Sequence, residues 1–117
     1  MPAKFKDLCL DAADSRALAE WWCTAMDYRL VLGKEGEHLG QWIGAIEDPS
    51  GRGPLIWIVA VPEGKTLKNR MHHDVFGDVQ ELLSLGATLV RARDEEIAWT
   101  VMADPEGNEF CVFTPKD

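Results

Sequence analysis

The apolar positions of this chain fall into short runs whose period switches between two and 3.6. Residues 4–11 alternate, with Phe5, Asp7, Cys9 and Asp11 on one side and Lys6, Leu8 and Leu10 on the other, which predicts a strand. Asp14 then stands as an N-cap ahead of Ala17, Leu18, Trp21, Trp22, Ala25 and Met26, positions that line one side of a helix. That spacing makes the Trp21–Trp22 pair core packing against a sheet rather than a ligand box. Residues 28–32 read as a strand stopped by Gly33, and 33–37 as a polar turn. A strand over 38–46 follows, then the loop Asp48-Pro49-Ser50-Gly51-Arg52-Gly53-Pro54. The apolar run 55–61, ended by Pro62, predicts a strand covered on both faces.

The second half opens on Lys68-Asn69-Arg70-Met71-His72-His73-Asp74-Val75-Phe76. As a strand over 70–76 it puts His72, Asp74 and Phe76 on one face and Met71, His73 and Val75 on the other. Adjacent histidines therefore cannot serve one site. Asp78 with Glu81 three residues on is a capping-box arrangement, and Val79, Leu82, Leu83 and Leu85 fill a short helix closed by Gly86. Strands are predicted over 87–92, 97–103 and 108–113, the last two joined by the tight turn Asp104-Pro105-Glu106-Gly107. Strand, helix and three strands thus occur twice in the same order, although the halves share little sequence.

Composition narrows the partners. A chain of 117 residues suits one domain that buries roughly two thirds of its unfolded surface. A net charge of −8 and a pI near 4.8 argue against nucleic acid and anionic membranes, because no basic stripe is available to neutralise phosphates. Cys9, Cys23 and Cys111 are odd in number and lack metal-finger spacing, which fits a reducing compartment. Residues 1–14 carry no signal-peptide core and no run approaches a membrane span, so the expected location is cytoplasmic.

Two such modules, with Lys68-Asn69-Arg70-Met71-His72 ahead of the second and Asp104-Pro105-Glu106-Gly107-Asn108-Glu109-Phe110 near the end, resemble the vicinal oxygen chelate superfamily of glyoxalases, bleomycin-resistance proteins and dioxygenases. Within it the chain is similar to bacterial glyoxalase-like domain proteins. The resemblance covers nearly the whole chain and is strongest over 68–74, 87–91 and 99–113. It implies an α+β fold in which two βαβββ modules form a half-open curved sheet or barrel around a cavity. The modules would be 4–61 and 70–114, joined by a linker at 62–69, within a single domain 1–117. It also implies a homodimer, and the five tryptophans suit a buried interface.

Metal-dependent members of that superfamily carry His, Gln or Glu ligands on the first and last strands of each module. The resemblance sets Asp7, Val59, His72 and Cys111 at those places. Val59 cannot bind a metal, and Asp7 with Cys111 mixes a hard oxygen with a soft sulfur. No metal or other cofactor is therefore expected; if one binds, its ligands would be Asp7, His72 and Cys111. His72 can equally be a hydrogen-bonded structural histidine beside Asp74. Cys111 has no evident basic partner and reads as packing rather than as a nucleophile. Glu109 lies on the Cys111 face, about 7 Å away.

The inner face then carries Asp7, Asp11, His72, Asp74 and Glu109, walled by Trp42, Trp57 and Trp99. Carboxylates clustered near an imidazole form a general acid/base pair, which makes His72 and Asp74 the candidate catalytic residues. Asp7, His72, Trp57, Trp99, Glu109 and Cys111 are the candidate ligand-binding residues. Asp11 and Glu109 could equally sit at strand ends in water. Two functions follow. One is metal-free binding of a small organic molecule in the cavity between the modules. The other is a lyase- or isomerase-type reaction like that of lactoylglutathione lyase, with His72 as metal ligand or acid/base. The sequence decides neither between them nor the identity of the ligand.

Overall fold

The computed structural model describes residue 2 and residues 4–114; residues 1, 3 and 115–117 of the expected span lie outside them. The chain divides into two compact units, 1–64 and 65–117. The first holds β1 (Leu8–Ala12), α1 (Ser15–Met26), β2 (Arg29–His38), β3 (Gln41–Glu47) and β4 (Ile56–Ala60). The second holds β5 (His73–Phe76), α2 (Val79–Leu85), β6 (Thr88–Arg91), β7 (Thr100–Ala103) and β8 (Glu109–Phe113). Their sheets run β1-β4-β3-β2 and β5-β8-β7-β6, the same order twice. In each, the first strand pairs parallel with the last, and the other pairs are antiparallel. The expected pair of βαβββ modules is present, as two separate four-stranded sheets rather than one closed barrel.

Caps set the helices where the sequence places them. The Asp14 carboxylate accepts from the Ala17 amide, and Asp27 ends α1 in a left-handed conformation. The buried residues of α1 are Ser15, Leu18, Ala19 and Trp22, so the stripe is turned slightly from expectation: Ala19, not Ala17, faces the core. Trp21 is half-buried and meets Trp22 edge-on, their rings 5.0 Å apart. The start of α1 is knitted to β3: the Ser15 hydroxyl donates to the Trp42 carbonyl, and the Gln41 side chain bonds Ser15 N and Ala13 O. In α2, Asp78 accepts from the Gln80 and Glu81 amides, and Gly86 closes the helix at φ 109°. Leu82 is buried there, whereas Leu83 faces outward.

Three departures from the sequence reading matter. Strands β1, β5 and β7 begin at Leu8, His73 and Thr100, so Asp7, His72 and Trp99 stand just ahead of their strands. The expected turn at 33–37 is part of β2, and the chain reverses at Leu39-Gly40, both with positive φ as in a two-residue type I′ hairpin. Gly33, read from the sequence as a strand stop, is needed for close approach instead: a Cβ on it would run into Trp42 Nε1, and a Cβ on Gly44 would stand 2.7 Å from the Gly33 Cα.

Candidate functional site

In the first unit, β1 and β4 pair with Cys9 opposite Trp57 and Asp11 opposite Val59. Ile56, Ile58 and Ala60 fill the buried face, so Trp57 and its neighbours occupy the open one. Asp7 Oδ2 accepts from the Trp57 indole at 3.1 Å and pairs with Lys6 at 2.7 Å. Those two bonds, Lys6 first, hold the Asp7 carboxyl below its usual range. Trp42 lies elsewhere. Gly44 pairs with Ile58, which puts Trp42 on the buried face, with the Arg16 guanidinium 5.8 Å from its ring. Trp42 and Trp57 thus cannot wall the same site.

The second unit gathers the donors. Parallel pairing of β5 and β8 sets Asp74 beside Cys111 on the open face, with Val101 of β7 next to it. His72, one residue before β5, turns its ring over both. Its Nδ1 lies 3.4 Å from Asp74 Oδ1 and 3.9 Å from Cys111 Sγ. One donor atom from each of the three residues lies within 4.8 Å of the others. His72 and Asp74 are exposed, whereas Cys111 is buried. Burial, reinforced by Asp74, pushes the Cys111 thiol above its ordinary value, so it is a protonated thiol and a poor nucleophile. Alternation sends His73 to the opposite, core-facing side, where it pairs in register with Phe110. Burial lowers its pKa there, against the opposing pull of Asp104.

Glu109 is engaged in the architecture of this site. Its carboxylate pairs with Lys65 Nζ at 2.9 Å and accepts from the Asn69 amide at 2.9 Å, all within a half-buried setting. Burial works to raise its pKa, but the bonds from Asn69 and Lys65 outweigh that and hold it below the usual value. Asn69 also donates to the Asn108 side chain at 3.4 Å. Residues 65–69, which lead into His72, are thereby fastened to the start of β8. Asn108 is itself locked by Asp104, which accepts from its backbone and side-chain amides at 2.9–3.2 Å. The sequence reading gave no role to Lys65 or Asn69, because their partner lies about forty positions on.

An apolar strip flanks the donors. Phe76 pairs in register with Phe113, and the Trp99 ring lies 5.9 Å from that of Phe113. Phe76 is 73% exposed. Of the expected ligand-binding residues, His72, Trp99, Glu109 and Cys111 therefore share the open face of the second sheet, with Asp74 among them. Asp7 and Trp57 are bonded to each other in the first unit.

The donor set bears on the metal question. Zinc binds N, O and S ligands at about 2.0–2.3 Å, so ligands of one ion lie within about 4.6 Å of one another. The His72, Asp74 and Cys111 donors are near that spacing, and their mixture of N, O and S fits a borderline ion with one position left open. The expectation of no metal weighed Asp7, Val59, His72 and Cys111; it did not count Asp74.

A family model described as a glyoxalase-like domain matches residues 7–113. No curated protein matches the sequence. Among solved structures, the fosfomycin resistance protein FosX from Mesorhizobium loti superposes with a TM-score of 0.69 at 13% identity, over 99% of this chain and 94% of that one. A mutant FosX from Listeria monocytogenes, complexed with Mn(II) and 1S,2S-dihydroxypropylphosphonic acid, gives 0.69 at 13% identity, covering 99% and 93%. A glyoxalase/bleomycin resistance protein/dioxygenase family enzyme from Burkholderia phytofirmans PsJN gives 0.62 at 15%, covering 90% and 93%. At these identities the likeness is one of fold.

Proposed function

Because the chain belongs to the glyoxalase-like domain family, within the vicinal oxygen chelate superfamily, we propose that it binds a small organic molecule on the open face of its second sheet. The observation that carries this reading is the convergence of His72, Asp74 and Cys111 beside the Trp99–Phe113 aromatic pair. Polar groups that converge next to an apolar wall are what a small-molecule site requires. Asp74 Oδ1, 3.4 Å from His72 Nδ1, favours a ring orientation that leaves Nε2 to meet a polar group of the ligand. The aromatic rings cover the ligand's apolar part, and Glu109 with Lys65 keeps the His72 segment in place. Native mass spectrometry of the purified protein, followed by calorimetry with the ligand it reveals, tests the reading. His72→Ala should weaken binding by about 1–3 kcal/mol, the cost of leaving a polar group of the bound ligand without its partner. His73→Ala should leave it unchanged. The reverse pattern would remove His72 from the site.

The donor cluster also favours a second reading, a lyase- or isomerase-type enzyme assisted by a metal. The residues that would hold the ion are His72, Asp74 and Cys111, and it would polarise a carbonyl or phosphoryl oxygen of the bound molecule. Cys111 must lose its proton to serve as ligand, so affinity should rise with pH. Elemental analysis and zinc titration decide the matter. Near-stoichiometric metal that is lost in His72→Ala supports the enzyme; its absence in both proteins supports metal-free binding.

A further inference from the structure

The core-facing side of the second sheet, opposite His72 and Asp74, borders a cavity of about 340 Å³. Thr100 and Val112 pair in register and both line it, whereas Val101 and Cys111 point to the other side. Gly77, Val79, Arg93 and Thr114 complete the parts that matter here. The volume sits at the small end of ligand sites.

Two side chains give this cavity a chemical preference. Arg93 Nη1 donates to the Thr114 hydroxyl at 3.2 Å, and among the described residues no carboxylate pairs with Arg93. Arg16, Arg29 and Arg91 each have an acidic partner. Thr100 is only 7% exposed, yet among the described residues its hydroxyl makes no hydrogen bond. No sealed side-chain N or O atom among them lacks a partner, so the Thr100 oxygen opens on the cavity rather than into packed core. Facing the cavity, that hydroxyl meets water in the free protein and can bond a ligand oxygen in its place. Val79 and Val112 offer an apolar wall, and Gly77 leaves width beside them: a Cβ there would stand 3.7 Å from Val112 Cγ1.

We propose that this cavity binds a short-chain monocarboxylate, its carboxylate between Arg93 and the Thr100 hydroxyl and its hydrocarbon part against Val79 and Val112. The guanidinium fork matches a carboxylate in shape and charge. The acidic side chain of Asp78, which lines the cavity and accepts from the Gln80 and Glu81 amides, disfavours a doubly charged ligand such as phosphate. The site is independent of the one at His72 and does not rest on the function proposed for it.

Isobutyrate serves as the probe, titrated into the 15N-labelled full chain while amide resonances are followed by NMR. Saturable shifts are expected at Gly77, Thr100 and Thr114. Arg93→Gln should weaken binding at least about tenfold, as the loss of a charged hydrogen-bond partner requires. Thr100→Val should weaken it by a smaller factor; should that variant unfold, Arg93→Gln, at an exposed side chain, still decides. His72→Ala should bind isobutyrate as the parent does, so that failure here and failure at the His72 site are told apart. The proposal is overturned if no saturable shift occurs, if isobutyramide binds as well, if Arg93→Gln changes nothing, or if inorganic phosphate binds more tightly.

Discussion

Replacing Glu109 by Ala removes two bonds at once: the Lys65 ion pair and the acceptor for the Asn69 amide. Exposed ion pairs contribute about 1 kcal/mol or less, whereas breaking a fully buried pair costs about 3–5 kcal/mol. The Lys65 and Glu109 side chains are 17% and 15% exposed, between these cases but nearer the second. The expected destabilisation for Glu109→Ala is therefore about 2–3 kcal/mol. Glu109→Gln keeps an oxygen for the Asn69 amide and should cost about half as much. Urea unfolding measures both, and a double-mutant cycle with Lys65→Met should return a coupling of about 1–2 kcal/mol. The acid limb carries a sign. The Glu109 pKa is lower in the folded state, so the unfolded chain takes up the proton first as pH falls. The stabilisation is complete above the unfolded value of about 4.3 and fades as pH drops through the folded one. Glu109→Gln should flatten that limb. A cost below about 0.5 kcal/mol for Glu109→Ala, or no coupling to Lys65, would refute the fastening role.

Other expectations follow from the same geometry. His73 is held neutral by burial, so stability should fall as pH drops below about 6.5, where the unfolded state protonates first; His73→Gln should reduce that slope in melting curves at pH 5 and 7, and an unchanged slope counts against it. Gly44→Ala forces a methyl against the Trp42 ring and should cost about 1–3 kcal/mol in urea, while a neutral result would mean the ring has room. Sedimentation equilibrium at tens of micromolar protein should give twice the 13.1 kDa chain mass, and a monomer would end the proposal of a homodimer.

What the sequence shows is what short-range chemistry decides. Asp14, Asp78 and Gly86 mark helix ends because capping acts over three or four residues, and the doubled order of elements is readable for the same reason. Alternation alone separates His72 from His73. Facts that depend on pairing are hidden. That Asp74 stands beside Cys111 follows only from the parallel register of β5 with β8. The parity of Trp42 was correct, but which side of the sheet it occupied depended on β4. Glu109 reads as a free acid until Lys65 and Asn69 fold back onto it. The hairpin at Leu39-Gly40 escaped because a leucine with positive φ has no signature in the chain.

Strand β2 lies at the border of its sheet, where an unpaired row of amides and carbonyls is free to recruit a foreign strand. Its register against β3 slips twice, and left-handed kinks at Leu32 and Gly36 interrupt its free side. Lys34, Glu35 and Glu37 add charge along the same stretch. A neighbouring chain would find neither a straight template nor an uncharged one. The irregularity that makes the strand hard to read therefore also shields a crowded solution of this protein from edge-to-edge growth. Straightening β2 by removing its kinks would be an efficient way to make it aggregate.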